Sequence, residues 1–325
     1  MKKKSIRYAL ALIIILIVAF AIFWFARPED VNFDEARSSL PNAAYSRFAD
    51  VDGVRIHFQE KGVGPPLILI HGYTASTYAW KDVFEPLSQR FHVITIDLKG
   101  FGFSGKPDGD YSRRAQADLV VRFLDHLNID RAILCGNSMG GEVSMNAAVK
   151  HPERVSALIL VDSAGVTVSG GGSVTPGVAR WPVIGPAIAA LALTSDSLIR
   201  DGLRQCFYDD SIVTDEQVAA YYQPLKTRDG QRAAYLARVQ AGINPIEPEI
   251  NTIRQPTLII WGAEDELIPL EAGRKLNSLI AGSRLAVFEK CGHVPQAEMP
   301  SRFVGEVENF VSSLTLPTEQ ISNFK

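Results

Sequence analysis

Short, continuously apolar runs alternate with amphipathic stretches along most of the chain. Leu67-Ile68-Leu69-Ile70, His92-Val93-Ile94-Thr95-Ile96, Ala132-Ile133-Leu134-Cys135, Ala157-Leu158-Ile159-Leu160-Val161 and Thr257-Leu258-Ile259-Ile260-Trp261 read as strands buried on both faces. Leu285-Ala286-Val287-Phe288 closes the series, and Val54-Arg55-Ile56-His57-Phe58 alternates like a hairpin strand after an Asp52-Gly53 turn. Between them, residues 115–127 place Leu119, Phe123, Leu124 and Leu127 on one helical face. Residues 303–314 do the same with Val304, Val307, Phe310 and Val311. Strands alternating with helices predict an α/β chain with a mostly parallel sheet covered on both sides.

One region breaks the rhythm. From 163 to 253 no buried strand is evident. The region opens with a flexible Ser169-Gly170-Gly171-Gly172-Ser173 loop, continues with an apolar stretch over 181–193, and then shows helical patterns around 198–207 and 215–225. It is expected to form a helical cap inserted after the sixth strand. The predicted organisation is an N-terminal anchor or signal peptide (1–27), a linker (28–45), a core made of 46–162 and 254–316, and the cap (163–253).

The N-terminus has its own pattern. Lys2, Lys3, Lys4 and Arg7 precede a run without charge from Tyr8 to Ala26. At about 1.5 Å per residue that run covers roughly 28 Å, close to the hydrocarbon thickness of a bilayer. Basic residues ahead of the run predict a single anchoring helix with the body exported to the periplasmic or extracellular side. Ala19-Phe20-Ala21 resembles a cleavage site, so secretion after signal cleavage is the competing expectation.

Composition narrows the function. The chain has 325 residues and a formal net charge of −3, which argues against a nucleic-acid partner. Cys135, Cys206 and Cys291 form no C-x-x-C pair, so no metal site or disulfide framework is implied.

Gly136-Asn137-Ser138-Met139-Gly140 lies between an apolar run and a helical pattern. Serine on a strand-to-helix turn with glycines two residues to either side is the G-x-S-x-G nucleophile elbow. A serine alcohol needs a base, and the base needs an orienting acid. His293, in Cys291-Gly292-His293-Val294-Pro295, follows the last strand and is the candidate base. His57, His92 and His126 fall away from the sheet end expected to hold the site, and His71 is expected to have a structural role in its loop. Asp265, in Gly262-Ala263-Glu264-Asp265-Glu266, is the candidate acid. Asp162 is its rival, whereas Glu264 and Glu266 are expected to face solvent. The backbone N–H groups of Met139 and Tyr73 are the candidate oxyanion donors. The glycines of Asp97-Leu98-Lys99-Gly100-Phe101-Gly102-Phe103-Ser104-Gly105 are expected to serve turns, not to hold a phosphate.

With these residues in view the chain resembles the α/β-hydrolase superfamily over about residues 46–314. The resemblance rests on His71-Gly72, the Asp97 to Ser104 run, the elbow with Gly141, Gly262-Ala263-Glu264-Asp265 and Gly292-His293. Two groups look closest: membrane-anchored bacterial lipases and esterases of the Moraxella type, and the meta-cleavage C–C hydrolases. The first shares segments such as Leu160-Val161-Asp162-Ser163-Ala164-Gly165. The second shares Gly-Asn-Ser-Met-Gly-Gly and a cap stretch like Phe207-Tyr208-Asp209-Asp210-Ser211-Ile212-Val213-Thr214. Against the second group, the glycine-rich oxyanion loop is replaced here by His71-Gly72-Tyr73-Thr74-Ala75-Ser76, and no arginine stands near Tyr221. The resemblance implies an eight-stranded sheet, a Ser138–Asp265–His293 triad and ester hydrolysis, chemistry that needs no metal or cofactor, while the apolar cap and the anchor suggest an acyl-chain or other hydrophobic small-molecule ester. C–C bond hydrolysis, or a tethered binding protein with a dead site, are the alternatives.

Overall fold

The computed structural model describes residues 2–168, 181, 184–193 and 195–314. The expected Ser169–Ser173 loop lies outside them, as does part of the apolar stretch after it. Eight strands among the described residues form one sheet: β1 (Ser46–Val51), β2 (Val54–Lys61), β3 (Pro66–Ile70), β4 (His92–Ile96), β5 (Ala132–Asn137), β6 (Val155–Val161), β7 (Thr257–Gly262) and β8 (Arg284–Phe288). Their order is β1-β2-β4-β3-β5-β6-β7-β8, with β1 and β2 antiparallel at one edge and the rest parallel. β1 was not evident from the apolar pattern. Arg47 and Asp50 are both exposed and interrupt the strand on its two faces, so this edge strand has no continuous apolar run.

The helices are α1 (Lys2–Phe25), α2 (Phe33–Ala36), α3 (Lys81–Leu87), α4 (Arg113–His126), α5 (Met139–Lys150), α6 (Ile184–Ala192), α7 (Asp196–Arg204), α8 (Asp215–Leu225), α9 (Arg228–Val239), α10 (Leu270–Leu279), α11 (Pro295–Glu298) and α12 (Pro300–Ser313). Two apolar layers result, one on each face of the sheet. One joins Ile68, Ile70 and Leu134 to α4, α5 and α10. The other joins Leu67, Leu69 and Cys135 to α3 and α12. Because β3, β5, β6 and β7 are covered on both faces, their side chains are apolar at nearly every position, which explains the runs in the sequence. Helices α6 to α9 lie in the chain between β6 and β7, where no described residue forms a strand.

The N-terminal expectation needs correction. The uncharged run does form α1, but among the described residues no helix is long and apolar enough to cross a membrane. A membrane anchor, and the exported placement built on it, are therefore not supported. The end of the run is engaged with the body of the protein. Arg228 of α9 stands over the Phe25 ring at 5.8 Å, and Arg27 Nη1 donates to Gln231 Oε1. The stretch 28–45 is also bonded to the body: the Arg228 and Asp229 amides donate to the carbonyls of Pro28 and Glu29 at 3.1 and 3.0 Å.

Candidate active site

The parallel strands end level with one another. Ile70 pairs with Gly136, Asn137 with Val161, Val161 with Ile260, and Gly262 with Phe288. The residues just beyond these ends form one cluster, at the edge where open α/β sheets bind ligands. β4 and β5 flank β3 on opposite sides, so the cluster sits where the strand order reverses.

Ser138 occupies the turn from β5 into α5 with φ 53 and ψ −116. Its amide donates to Val161 O at 2.9 Å, and its carbonyl accepts from Gly141, Glu142 and Ala164. The flanking glycines are demanded by backbone crowding. A Cβ on Gly136 would lie 2.2 Å from Gly140 O, and one on Gly140 would lie 2.1 Å from Ile70 O. Ser138 is half-buried at the N-terminus of α5, where backbone N–H groups and the helix dipole favour negative charge. Its hydroxyl has no hydrogen-bond partner among the described residues. Contacts of that kind often form only once substrate is bound.

The loop after β3 lies against the serine: a Cβ on Gly72 would be 3.3 Å from Ser138 Cβ. The amides of Tyr73 and Met139 donate to no partner among the described residues. His71 sets the loop. Its Nε2 accepts from the Leu98 amide at 3.1 Å, so its Nδ1–H donates to Gly72 O at 2.7 Å. Burial lowers the His71 pKa and favours this neutral form.

His293 and Asp265 are joined by a 2.7 Å hydrogen bond between Nδ1 and Oδ2, and both are buried. Asp265 Oδ1 accepts from the amides of Leu267 and Ile268 at 2.8 and 3.0 Å. Asn137 donates from Nδ2 to His293 O at 3.0 Å, tying the histidine loop to the elbow. The His293 amide donates to Cys206 O at 2.8 Å, tying the same loop to the insertion.

The neighbouring acids depart from the sequence reading. Glu266 is exposed, but Glu264 is half-buried and its Oε2 accepts from the Cys291 amide at 3.0 Å. Asp162 does not bond His293. Its Oδ1 accepts from the Gly262 amide at 2.9 Å instead. One oxygen each of Asp162 and Asp265 and a ring nitrogen of His293 lie within 4.8 Å of one another. His293 Nδ1 is already bonded to Asp265, which leaves Nε2 as the free ring nitrogen.

Glu298 was missed. Its carboxylate accepts from the Gly292 amide at 2.7 Å and the Tyr208 amide at 2.8 Å, bridging the histidine loop and the insertion. The sequence carries no signal for it, because its partners are backbone groups. His57 is buried and bonds Asp97 Oδ2 at 2.7 Å and Ser46 Oγ at 3.0 Å, well removed from Ser138 in the sheet.

The model of the alpha/beta hydrolase fold family matches residues 65–300, and the chain belongs to that family. The chain is 34% identical over 271 residues to a 2-hydroxymuconate semialdehyde hydrolase of Pseudomonas, covering 80% of this chain and 91% of that one. Among solved structures it is similar to a meta-cleavage product hydrolase from Pseudomonas fluorescens, with a TM-score of 0.71, 30% identity, and 82% and 97% of the two chains covered. It is also similar to a membrane phospholipase A, with a TM-score of 0.72, 26% identity, and 94% and 98% covered.

Proposed function

We propose that the protein is a serine hydrolase that cleaves a carboxylic ester through an acyl-enzyme. The observation that carries this reading is the grouping, at one sheet edge, of a strained elbow serine, a histidine oriented by a buried aspartate, and two amides with no other partner. Ser138 Oγ attacks the ester carbonyl while His293 Nε2 takes its proton. Asp265 holds the Nδ1–H tautomer and stabilises the imidazolium. The Tyr73 and Met139 amides hold the oxyanion. The carbonyl–oxygen bond breaks, the alcohol leaves with the proton from His293, and water activated by His293 releases the acid. These groups suffice for acyl transfer without a cofactor. Residues 163–253 act as a cap over the core of 46–162 and 254–316, and the apolar α6 within them favours a hydrophobic small-molecule ester. Similarity to a phospholipase A structure supports the ester class.

The test is Ser138→Ala. Turnover of a p-nitrophenyl ester should vanish while thermal unfolding stays near wild type, and retained turnover rejects the reading. A fluorophosphonate should label Ser138 covalently. An unlabelled serine would favour a binding protein with a dead site.

A second reading, hydrolysis of a C–C bond in a ring-fission product, is favoured by the names of the relatives at 30–34% identity. Faster turnover of a ring-fission dienone than of any ester in a chain-length panel would select it.

A further inference from the structure

Asp162 is a buried acid that the acyl-transfer scheme leaves without a role. It follows β6, has no exposed surface, and its backbone takes φ 41, in the left-handed region. Oδ1 accepts from the Gly262 amide, but Oδ2 is buried with no hydrogen-bond partner. A carboxylate oxygen of Asp265 lies within 4.8 Å. The other titratable groups facing this spot are Glu264, Cys291, His293 and Glu298 from the segments after β7 and β8, and Cys206 from the insertion. Of these only His293 can carry positive charge, and its Nδ1 is committed to Asp265. An ionised Asp162 would place a second buried anion beside Asp265, with one oxygen lacking any donor. Both features are strongly unfavourable away from water.

We propose that Asp162 is a positioning residue that carries a proton on Oδ2 and donates it to Asp265, fixing the Asp265 carboxylate against His293. Asp265 then accepts from the Leu267 and Ile268 amides, from His293 Nδ1–H and from Asp162, a set that fixes the orientation of its carboxylate. Burial, and then the Asp265 charge, push the Asp162 carboxyl well above its ordinary value, in agreement. A second role follows. If Asp265 is made neutral the repulsion is gone, and Asp162 can ionise and serve as a reserve partner for the imidazolium. The proposal rests on the Ser138–His293–Asp265 reading.

Four variants of the full chain test it. Infrared difference spectra of wild type against Asp162→Asn at neutral pH should show loss of one protonated-carboxyl C=O band, and its absence overturns the proposal. Asp162→Ala should lower kcat/KM about tenfold and shift the acidic limb of its pH profile, while Asp162→Asn, whose amide still donates, recovers most of the loss. Equal losses in both variants overturn the donor role. Asp265→Asn should retain activity that Asp162→Asn/Asp265→Asn loses by a further tenfold or more, and equal rates overturn the reserve role. Fluorophosphonate labelling in parallel separates the two ideas. A missing label with the carboxyl band intact defeats the serine reading and leaves the Asp162 proton in place.

Discussion

At Ser138 the backbone holds a conformation that L-residues rarely adopt, at a cost of about 1–3 kcal/mol. The turn is held by Ser138 N to Val161 O and by the helix that starts at Met139. Glycine at this position should relax the strain, so Ser138→Gly is expected to raise unfolding stability by about 1 kcal/mol while abolishing turnover. Alanine should abolish turnover with little such gain. Urea titrations of the two variants measure the difference. Asp97 is the other residue whose environment makes a sharp forecast. It is fully buried and accepts from the Thr77 and Phe103 amides and from His57. Burial works against its charge, yet His57 and the Phe103 amide leave its carboxyl below the ordinary value. A depressed carboxyl contributes stability that is complete above its unfolded pKa of about 3.9 and is lost as pH falls through the folded value. Asp97→Asn should cost about 2–3 kcal/mol at neutral pH. Its Tm gap from wild type should narrow below about pH 4, which a Tm series across pH would read directly.

At the scale of elements, the histidine loop is positioned by both of its neighbours. A Cβ on Gly262 would lie 1.9 Å from Gly292 O, so the end of β7 and the loop after β8 touch backbone to backbone. From the other side, α11 supplies Glu298 to the amides of Gly292 and Tyr208. Glu298→Ala should remove the acceptor of the Gly292 and Tyr208 amides, lower kcat about tenfold, and reduce stability by about 2 kcal/mol. Steady-state kinetics with a Tm measurement separates loosening of the loop from simple destabilisation. Much of this architecture was legible in the chain. β3, β5, β6 and β7 are apolar at nearly every position because both faces are covered. The elbow glycines are set by backbone contacts that leave no room for a side chain. β1 and Glu298 were not legible, because this edge strand has no continuous apolar run and a carboxylate bound to backbone amides leaves no trace in its partners' identities. Glu264 was placed in solvent for the same reason.

At the scale of the molecule, residues 27–33 join parts of the fold that are distant in sequence. Asp30 Oδ1 accepts from Lys106 Nζ at 2.6 Å, and Lys106 is itself buried and bonded to the carbonyls of Gly102 and Ser104. Phe33 packs edge-on against Phe48 and Phe103 at 5.0 and 5.3 Å, over the core strands. A cavity lined by Leu40, Tyr78, Phe103, Ala220 and Pro224 lies between this stretch, the core and α8. Phe33→Ala should lower unfolding stability by about 2 kcal/mol, the loss of a partly buried ring. A shift in the urea midpoint would measure it.

A body attached to its support at two points can swing about the line between them. The insertion leaves the core after β6 and returns to it before β7, and those two connections define such an axis. The bonds from Pro28 and Glu29 to the first turn of α9 provide a third attachment, itself fastened to the core through Asp30 and Phe33. Cys206 and Tyr208, just after α7, add further bonds to the histidine loop and to α11. Moving the insertion as one rigid body would break all of these bonds together.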